Sequence, residues 1–503
     1  MGTKQHSNYE SLITFTRASA GHALRPVSYG SELVDNSDFA TDSVWNKGTG
    51  WSISGGVGSH VGPTGGQIVQ NVSTTVGAIY LISYEITATD ATVSLRWDGS
   101  AFNYPTAAGT YTFVKVATAS STEIGVYAST ATSIDNISVK EVTFDESDGT
   151  LTLFEHPEGV PRVEWDASSG NRLGLLVEES RTNLVTYSED FSGWTNVNAP
   201  LTPNAVEAPD GTITATKLIA DATNNQHRRD YVSTYSAGTH TFSVFAKAGE
   251  YNFLELRLAG DGVYVDIRDG SLAGASAGIT THYQDVGNGW KRIAITHSTG
   301  ANDTARINVI ETSGTRTFVG DGTSGIYIWG AQLEEGSFPT SYIKTTGSTA
   351  TRSADVASIP VADFGYNQSA GSIVIESQTF DITDVGRNFS LSDGTSSNVI
   401  RSQSQATNHL IVINSGSVTA NLDAGAYSNN VFSKLGGAFA KDDIAASMDG
   451  GAVVTDTSSS IPAVTKLNIG GRYDGGLPLN GHIKSIKYYP RRLTNAQLQD
   501  LTS

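Results

Sequence analysis

Hydrophobic and polar residues alternate with a period of two along most of this chain. In the segment around residue 82, Tyr80, Ile82 and Tyr84 share one side of a predicted strand, and Glu85 lies on the other. Strands with one apolar side and one solvent-exposed polar side are typical of antiparallel sheets packed as a sandwich. Turn signals of the Asp-Gly and Asn-Gly type recur between these segments. We therefore predict an all-β fold.

The chain also repeats itself. Residues 72–99 reappear, altered, as residues 232–260, and both copies open with Val-Ser-Thr and carry an arginine in their second strand, Arg96 and Arg257. A repeat of roughly 150 residues is too long for a solenoid and suits two copies of one domain. The repeat indicates a function carried by modules rather than by one catalytic centre.

We predict four parts along the chain. They are residues 1–30 plus 146–182 as a small N-terminal β unit, residues 31–145 as an inserted first copy, residues 183–345 as a second copy, and residues 346–503 as a different β domain. The last part begins with a Ser/Thr-rich connector over 346–355 and alternates again after it. It ends in the one convincing helix, over 495–501, with Thr494 as its cap.

The composition narrows the function classes. Only 16% of residues are charged and 53 are glycine, a balance that suits short strands and turns. The chain has no cysteine, which excludes disulfides and thiolate metal sites. A net charge of −18 disfavours nucleic acid as a partner. No segment has the apolar length of a membrane span, and residues 1–15 lack a secretory signal, so we expect synthesis in the cytoplasm and no membrane insertion.

Two motifs that match catalytic patterns fail in their context. Residues 274–278 fit G-x-S-x-G, but strand, turn and strand follow them where a nucleophile elbow needs a helix. Residues 320–325 fit G-x-G-x-x-G, yet they precede a strand and not the helix that would hold a pyrophosphate. The adjacent acids Glu178 and Glu179 point to opposite faces of a strand and cannot share one proton. We predict that the chain is not an enzyme.

Several long segments of the sequence resemble a known protein family. Residues 173–194, 208–218 and 321–347 resemble a module of bacteriophage virion proteins described as head spike, head fibre or tail fibre proteins. The opening 12-LITFTRASAG-21 resembles the usual start of that module. This resemblance covers much of the chain and implies a virion appendage.

Two further resemblances concern the separate domains. The first copy, on residues 38–56 and 135–142, looks like a jelly-roll carbohydrate-binding module. Residues 439–456 with 478–499 resemble a laminin-G/concanavalin-like domain. They imply tandem jelly-roll sandwiches followed by a concanavalin-like sandwich that ends in a short helix.

The resemblance implies a structural protein on the exterior of a phage particle that presents carbohydrate-binding modules for host adhesion. The N-terminal unit would serve attachment to the virion or its collar. The implied partners are other virion proteins, a host cell-surface glycan and further copies of the chain, with a trimer favoured. Two alternatives stay open: an architectural capsid decoration or collar subunit without glycan binding, and a glycan-degrading enzyme whose site the sequence does not reveal.

Modules of this kind bind sugars on an outward sheet face, where hydroxyls meet charged groups and apolar sugar faces stack on aromatic rings. The predicted glycan-binding residues are the outward positions of the two copies and one adjoining loop residue: Glu85, Arg96, Tyr104, Phe245, Glu255 and Arg257. The alternative is a solvated face with cross-strand ion pairs. Trp97 aligns with the inward Leu258 and is assigned to the core.

No cofactor is required, but the resemblance implies a structural Ca²⁺ in the first jelly roll. Its ligands would be Asp38, in an early acidic loop, and Asp135, in the last strand. Calcium takes several oxygen ligands, so two carboxylates leave turn and cap roles open as the alternative. In the second copy Trp329 falls near the place of Asp135, and no ion is predicted there.

Overall fold

The computed structural model describes residues 13–144, 149–312, 314–383, 385–403 and 408–503. Residues 1–12 and 146–148 of the predicted N-terminal unit lie outside these ranges. The described part is built of antiparallel strands, with one 3₁₀ turn at Val361–Phe364 and one α-helix, α1, at Asn495–Thr502. Within it, no helix has the length and apolarity to cross a bilayer. The all-β prediction is confirmed.

The strands are numbered in chain order. They begin with β1 (Thr14–Thr16), β2 (Gly21–Glu32), β3 (Asn46–Lys47), β4 (Trp51–Ser54), β5 (Val57–His60), β6 (Gly66–Ser73), β7 (Ile79–Thr89), β8 (Ser94–Trp97), β9 (Ser100–Asn103), β10 (Gly109–Val116), β11 (Ser121–Ala128), β12 (Thr132–Thr143), β13 (Thr150–His156), β14 (Val163–Trp165), β15 (Arg172–Val177) and β16 (Arg181–Asn183). They continue with β17 (Thr195–Val197), β18 (Leu201–Val206), β19 (Ala215–Ile219), β20 (Asn224–Asn225), β21 (His227–Val232), β22 (Gly238–Lys247), β23 (Phe253–Leu258), β24 (Asp261–Asp266), β25 (Leu272–Ala275), β26 (Thr280–Gly287), β27 (Trp290–Thr299), β28 (Thr304–Ile310), β29 (Phe318–Val319) and β30 (Gly325–Glu335). They end with β31 (Ala350–Arg352), β32 (Val356–Pro360), β33 (Ala370–Thr379), β34 (Phe389–Ser392), β35 (Val399–Gln403), β36 (Asn408–Asn414), β37 (Ser417–Gly425), β38 (Ser433–Ala440), β39 (Asp443–Met448), β40 (Val454–Asp456), β41 (Lys466–Ile469) and β42 (Gly481–Tyr489).

The chain divides into two compact units, Met1–Arg25 with Leu151–Ser503, and Pro26–Thr150. The unit Pro26–Thr150 is the first sandwich. One of its sheets has the order β10-β7-β12-β2, with β5 and β4 beside β12, and the other has the order β3-β6-β11-β8-β9. Tyr84 of β7 and Trp97 of β8 are buried in the core that the two sheets share. The alternation predicted both of these inward positions.

The second sandwich lies within the larger unit. Its two sheets have the orders β17-β21-β28-β23-β24-β25 and β18-β19-β30-β22-β27-β26. Phe242 and Val244 of β22 pack against Leu254 and Leu256 of β23 in its core. As in the first copy, the two consecutive repeat strands belong to opposite sheets. In both copies, therefore, the chain passes from one sheet to the other between the two repeat strands.

The third sandwich holds the last domain and also strands from the start of the chain. Its sheets have the orders β1-β32-β41-β34-β35-β36-β37 and β14-β15-β42-β33-β38-β39-β40. Phe15 of β1 and Val177 of β15 are buried in its core. Residues 1–30 and 146–182 were predicted to form a β unit of their own. Three of their described strands, β1, β14 and β15, instead extend these two sheets, and residues such as Phe15 and Val177 are buried there.

Helix α1 begins where the sequence predicts. Thr494 accepts a hydrogen bond from the backbone N–H of Gln497, and the Gln497 side chain accepts one from the Thr494 N–H, which forms a capping box. Leu498 is buried in a small cluster with Val374 and Ala438 on the outer side of the third sandwich. The helix is thus held by its cap, by this apolar cluster and by polar contacts such as the hydrogen bond that the Gln499 side-chain amide donates to the Gly450 carbonyl at 2.9 Å.

A buried ionic cluster lies within the larger unit, formed by Arg17, Arg162, Glu178, Arg352 and Asp355. Asp355 contacts Arg17 at 3.2 Å and also contacts Arg162, while Glu178 contacts Arg162 at 2.8 Å and Arg352 at 3.5 Å. Every one of these side chains is at most 1% exposed. Burial would raise the pKa of Glu178, but the charges of Arg352 and Arg162 hold it at about 2. The segment predicted as a connector, 346–355, therefore anchors the fold.

His22 is held uncharged inside the larger unit, which predicts a loss of stability in mild acid. Its Nδ1 lies 2.9 Å from the Tyr342 carbonyl oxygen. Burial, and after it the charge of Lys344, lowers its pKa from 6.5 to about 3. The unfolded chain takes up this proton below its ordinary pKa and the folded chain does not, so the free energy of unfolding falls as the pH drops between these two values, by up to about 1.4 kcal/mol per pH unit. Urea denaturation at several pH values measures this slope. A His22→Gln variant is expected to show a shallower slope, and an unchanged slope would contradict the assignment.

Candidate functional site

The two charged positions predicted in the first copy do not share a face. Glu85 lies on β7 and Arg96 on β8, and these strands belong to different sheets of the first sandwich. Outward side chains of two packed sheets point away from each other. Glu85 accepts a hydrogen bond from the Asn136 side-chain amide at 2.7 Å. Glu85 and Arg96 therefore do not form one surface, and sugar binding by either residue stays a prediction.

Arg96 and Tyr104 do lie at one edge of one sheet. Strand β9 is the edge strand beside β8, and Tyr104 follows it in a loop with 60% of its surface exposed. The Arg96 Nε lies 3.6 Å from the Glu123 carboxylate, in a partly exposed ion pair. This edge offers an aromatic ring and an arginine, and its role in sugar binding stays a prediction.

Phe245 was predicted to face outward and is fully buried. It does point away from the sandwich core, but a second apolar layer covers that side of its sheet, with Leu24 and Leu153 among its members. Its ring meets Trp329 with centroids 5.4 Å apart, and the Arg292 guanidinium lies over it at 5.3 Å. A sugar cannot reach this ring, so the assignment of Phe245 to glycan binding is wrong.

Glu255 is also buried, but it organises an exposed surface. Its carboxylate accepts hydrogen bonds from the Arg316 Nη2 at 2.6 Å and Nε at 3.0 Å, and one from the Asn308 side-chain amide at 3.0 Å. The Arg316 guanidinium in turn lies over the Tyr264 ring, 5.2 Å from its centroid. With 0% of its surface exposed, Glu255 holds Arg316 in place and does not itself meet a sugar.

Around Arg257 the structure assembles a polar surface that we call the arginine face. It consists of outward residues on four neighbouring strands, in two rows, with Arg316 above the first row. The first row is Arg228, Asn308, Glu255 and Tyr264, and the second row is Asp230, Arg306, Arg257 and Gly262. Its arginine side chains are 19% to 38% exposed. The face can therefore contact a ligand while its sheet side stays packed.

The chemistry of the arginine face suits a polyhydroxylated ligand. The arginines supply donors, while Asp230 and the Tyr264 hydroxyl supply acceptors. The hydrogen bond to Glu255 raises the pKa of Arg316, so this guanidinium stays charged. Of the members of this face, Glu255 and Arg257 were predicted from the sequence and the others were not. The alternation in 304-TARINVI-310 indicates that two of these, Arg306 and Asn308, lie on the outward side of a strand.

The two predicted calcium ligands lie near each other in the first sandwich. Burial, together with the charges of Glu85 and Asp38, raises the pKa of the Asp135 carboxyl. Asp135 accepts a hydrogen bond from the Asn136 N–H at 2.7 Å, and Asp38 one from the Ala40 N–H at 3.2 Å, which are turn contacts. Among the described residues, no three His, Asp or Glu side chains are grouped so that they could hold an ion. The calcium site stays a prediction.

A cleft of about 480 Å³ opens between the second and third sandwiches of the larger unit. His482 lies in its wall, with its ring nitrogens 2.6 Å from Glu164 and 2.8 Å from Gln378. Glu178 also lines it, but its pKa of about 2 keeps it ionised and it cannot donate a proton near neutral pH. Glu178 therefore cannot act as the general acid that glycoside hydrolysis requires.

Comparisons with known proteins establish no relationship. No protein-family model matches the sequence, and no curated protein matches it. Among solved structures, the tandem CBM22 domain of Xyn10C from Paenibacillus barcinonensis is 14% identical, over 61% of this chain and 98% of that one, with a TM-score of 0.20. The tandem CBM51 modules of a family 98 glycoside hydrolase from Streptococcus pneumoniae are 11% identical, over 64% and 100%, with a TM-score of 0.16. A Trypanosoma rangeli sialidase is 10% identical, over 96% and 94%, with a TM-score of 0.23. At such scores the matches carry no argument about this chain.

Proposed function

We propose that the chain is a non-catalytic glycan-binding protein that forms a head spike, head fibre or tail fibre on the exterior of a phage particle. It would adhere to host cell-surface glycans and contact other virion proteins, as a homo-oligomer for which a trimer is favoured. The virion setting is supported by the resemblance of residues 173–194 and 321–347. Glycan binding is supported by the arginine face, which joins fixed donors, acceptors and an aromatic ring on one outward sheet surface.

The single observation behind glycan binding is the way Glu255 holds this face rigid. A buried carboxylate that binds Arg316 fixes the position of this donor before any ligand arrives. Fixed side chains lose less rotamer freedom on binding, which raises affinity. Apart from Arg316, which lies in the loop between β28 and β29, the residues of the face lie on regular strands, which favours precise positioning of sugar hydroxyls.

Replacing Arg257 is expected to weaken glycan binding about tenfold to hundredfold. Loss of a charged hydrogen-bond donor costs about 1.5–3 kcal/mol, and each 1.4 kcal/mol is about tenfold in affinity. Calorimetric titration of Arg257→Ala with purified bacterial surface polysaccharides and millimolar oligosaccharides measures the change. Arg472→Ala is the matched control, because it removes an exposed, ion-paired arginine of the third sandwich.

Three results would go against the proposal. If the unsubstituted protein binds no glycan in this panel, the architectural alternative, a capsid decoration or collar subunit, is favoured. If it binds and Arg257→Ala binds equally well, the arginine face is not the site. Release of reducing ends from capsule would instead support the glycan-degrading alternative.

A further inference from the structure

The centre of the arginine face brings two like charges together. Arg257 on β23 and Arg306 on β28 are direct partners in the strand register. Their side chains are 19% and 30% exposed. Like charges directly opposite each other on neighbouring strands destabilise a sheet. The two guanidinium groups therefore repel each other unless negative charge lies close to both of them.

The carboxylates of the face do not neutralise the charge of this arginine pair. Asp230 is shared between Arg228 at 3.0 Å and Arg306 at 3.3 Å. Glu255 is taken by Arg316 and Asn308, and its nearest approach to the Arg257 Nε is 3.8 Å, beyond hydrogen-bond distance. Four arginines thus meet two carboxylates. The surface is locally positive in a chain whose net charge is −18.

The strand beside Arg257 carries no side chain at the position paired with Arg257. Its register partner on β24 is Gly262, and a Cβ atom at that position would lie 2.5 Å from the Arg257 Cγ. The backbone of Gly262 is outside the left-handed region, so the glycine is required by close contacts and not by a turn: the same Cβ would also lie 2.5 Å from the Leu256 carbonyl oxygen. No side chain therefore rises from this position to cover the guanidinium of Arg257.

We infer that the arginine face binds an acidic glycan, with the anionic group of the sugar held between Arg257 and Arg306. Planar guanidinium groups form paired, charge-assisted hydrogen bonds with carboxylate, sulfate and phosphate oxygens. An anion at this place relieves the repulsion between the two arginines. The inference rests on the proposed function and adds the class of sugar to it.

Three soluble polymers test the inference: dextran, which is neutral, polygalacturonate, which carries carboxylates, and dextran sulfate. The protein is expected to bind at least one acidic polymer tenfold or more tightly than dextran, and the tighter of the two identifies the anionic group. Arg257→Gln and Arg306→Gln are each expected to lose at least tenfold in that affinity. Arg268→Gln, an exposed arginine of the same sandwich that is paired with Asp266, is expected to lose nothing.

Equal binding of dextran and the acidic polymers overturns the inference and leaves glycan binding intact. An equal loss in Arg268→Gln also overturns it, because the effect would then come from net charge alone. Binding to none of the three polymers overturns it as well. The proposed function fails with it only when the panel of bacterial polysaccharides also gives no binding.

Discussion

Replacing Asp355 with asparagine is expected to lower the free energy of unfolding of the larger unit by about 3–5 kcal/mol. The substitution keeps the shape of the side chain and removes its charge. Asp355 contacts Arg17 and Arg162 and accepts the backbone N–H of Glu178 at 3.0 Å, all out of contact with water. Removing one partner of a buried ion pair is costly because the remaining charge stays buried without compensation.

The balance of charge in the cluster makes this substitution unusually harmful. Three arginines face two carboxylates, and burial together with the charge of Arg162 already lowers the pKa of Arg17 to about 10. With Asp355→Asn, three buried cations would share Glu178 alone. The cluster also joins residues far apart in the chain, so its loss affects β1, β15 and the segment before β32 together.

Urea denaturation of Asp355→Asn measures the effect, with Asp474→Asn as the matched control. Asp474 forms an ion pair with Arg472 at 2.7 Å, but the two side chains are 40% and 38% exposed. Exposed pairs contribute about 0–1 kcal/mol, so this control should barely move the midpoint. Equal shifts in the two variants would show that the buried cluster contributes no more than a surface pair.

The alternation of apolar residues was sufficient to predict the inward face of each strand. Tyr84, Trp97 and Leu256 are buried as predicted, because the pleat of a strand imposes a period of two on its side chains. The N-cap at Thr494 was equally readable, since capping depends on residues within one helical turn. Local geometry sufficed for both features.

The outward faces could not be predicted in the same way. Alternation within β7 and β8 does not say to which sheet each strand belongs, so it could not show that Glu85 and Arg96 lie on different sheets. Nor does it say what covers an outward residue, as Leu24 and Leu153 cover Phe245 from distant parts of the chain. The neighbours of Arg257 were missed because Arg306 and Arg316 join it only through strand pairing and a loop contact. Such contacts join residues that are far apart in the chain, so the pattern within a single strand does not predict them.

Replacing Phe245 with alanine is expected to destabilise the larger unit by about 3–5 kcal/mol and to leave glycan affinity unchanged. The ring is 0% exposed, and it packs edge-on against Trp329 and against Tyr342, with centroids 5.4 Å and 5.8 Å away. Its removal opens a cavity that the sheet and its covering layer cannot close. It also takes away the aromatic face over which the Arg292 guanidinium lies.

Tyr283→Ala is the matched control for Phe245→Ala, because this aromatic residue lies on the same sheet with 41% of its surface exposed. Surface substitutions of this kind usually change stability by about 0.5 kcal/mol or less. Urea denaturation followed by tryptophan fluorescence measures stability, and titration of the folded variants with a bound polysaccharide measures affinity. A Phe245→Ala variant with the unsubstituted protein's denaturation midpoint and weakened glycan binding would return Phe245 to the binding surface. A lowered midpoint with full affinity places it in the layer that supports the sheet, because a residue that never meets the ligand changes stability and leaves binding intact.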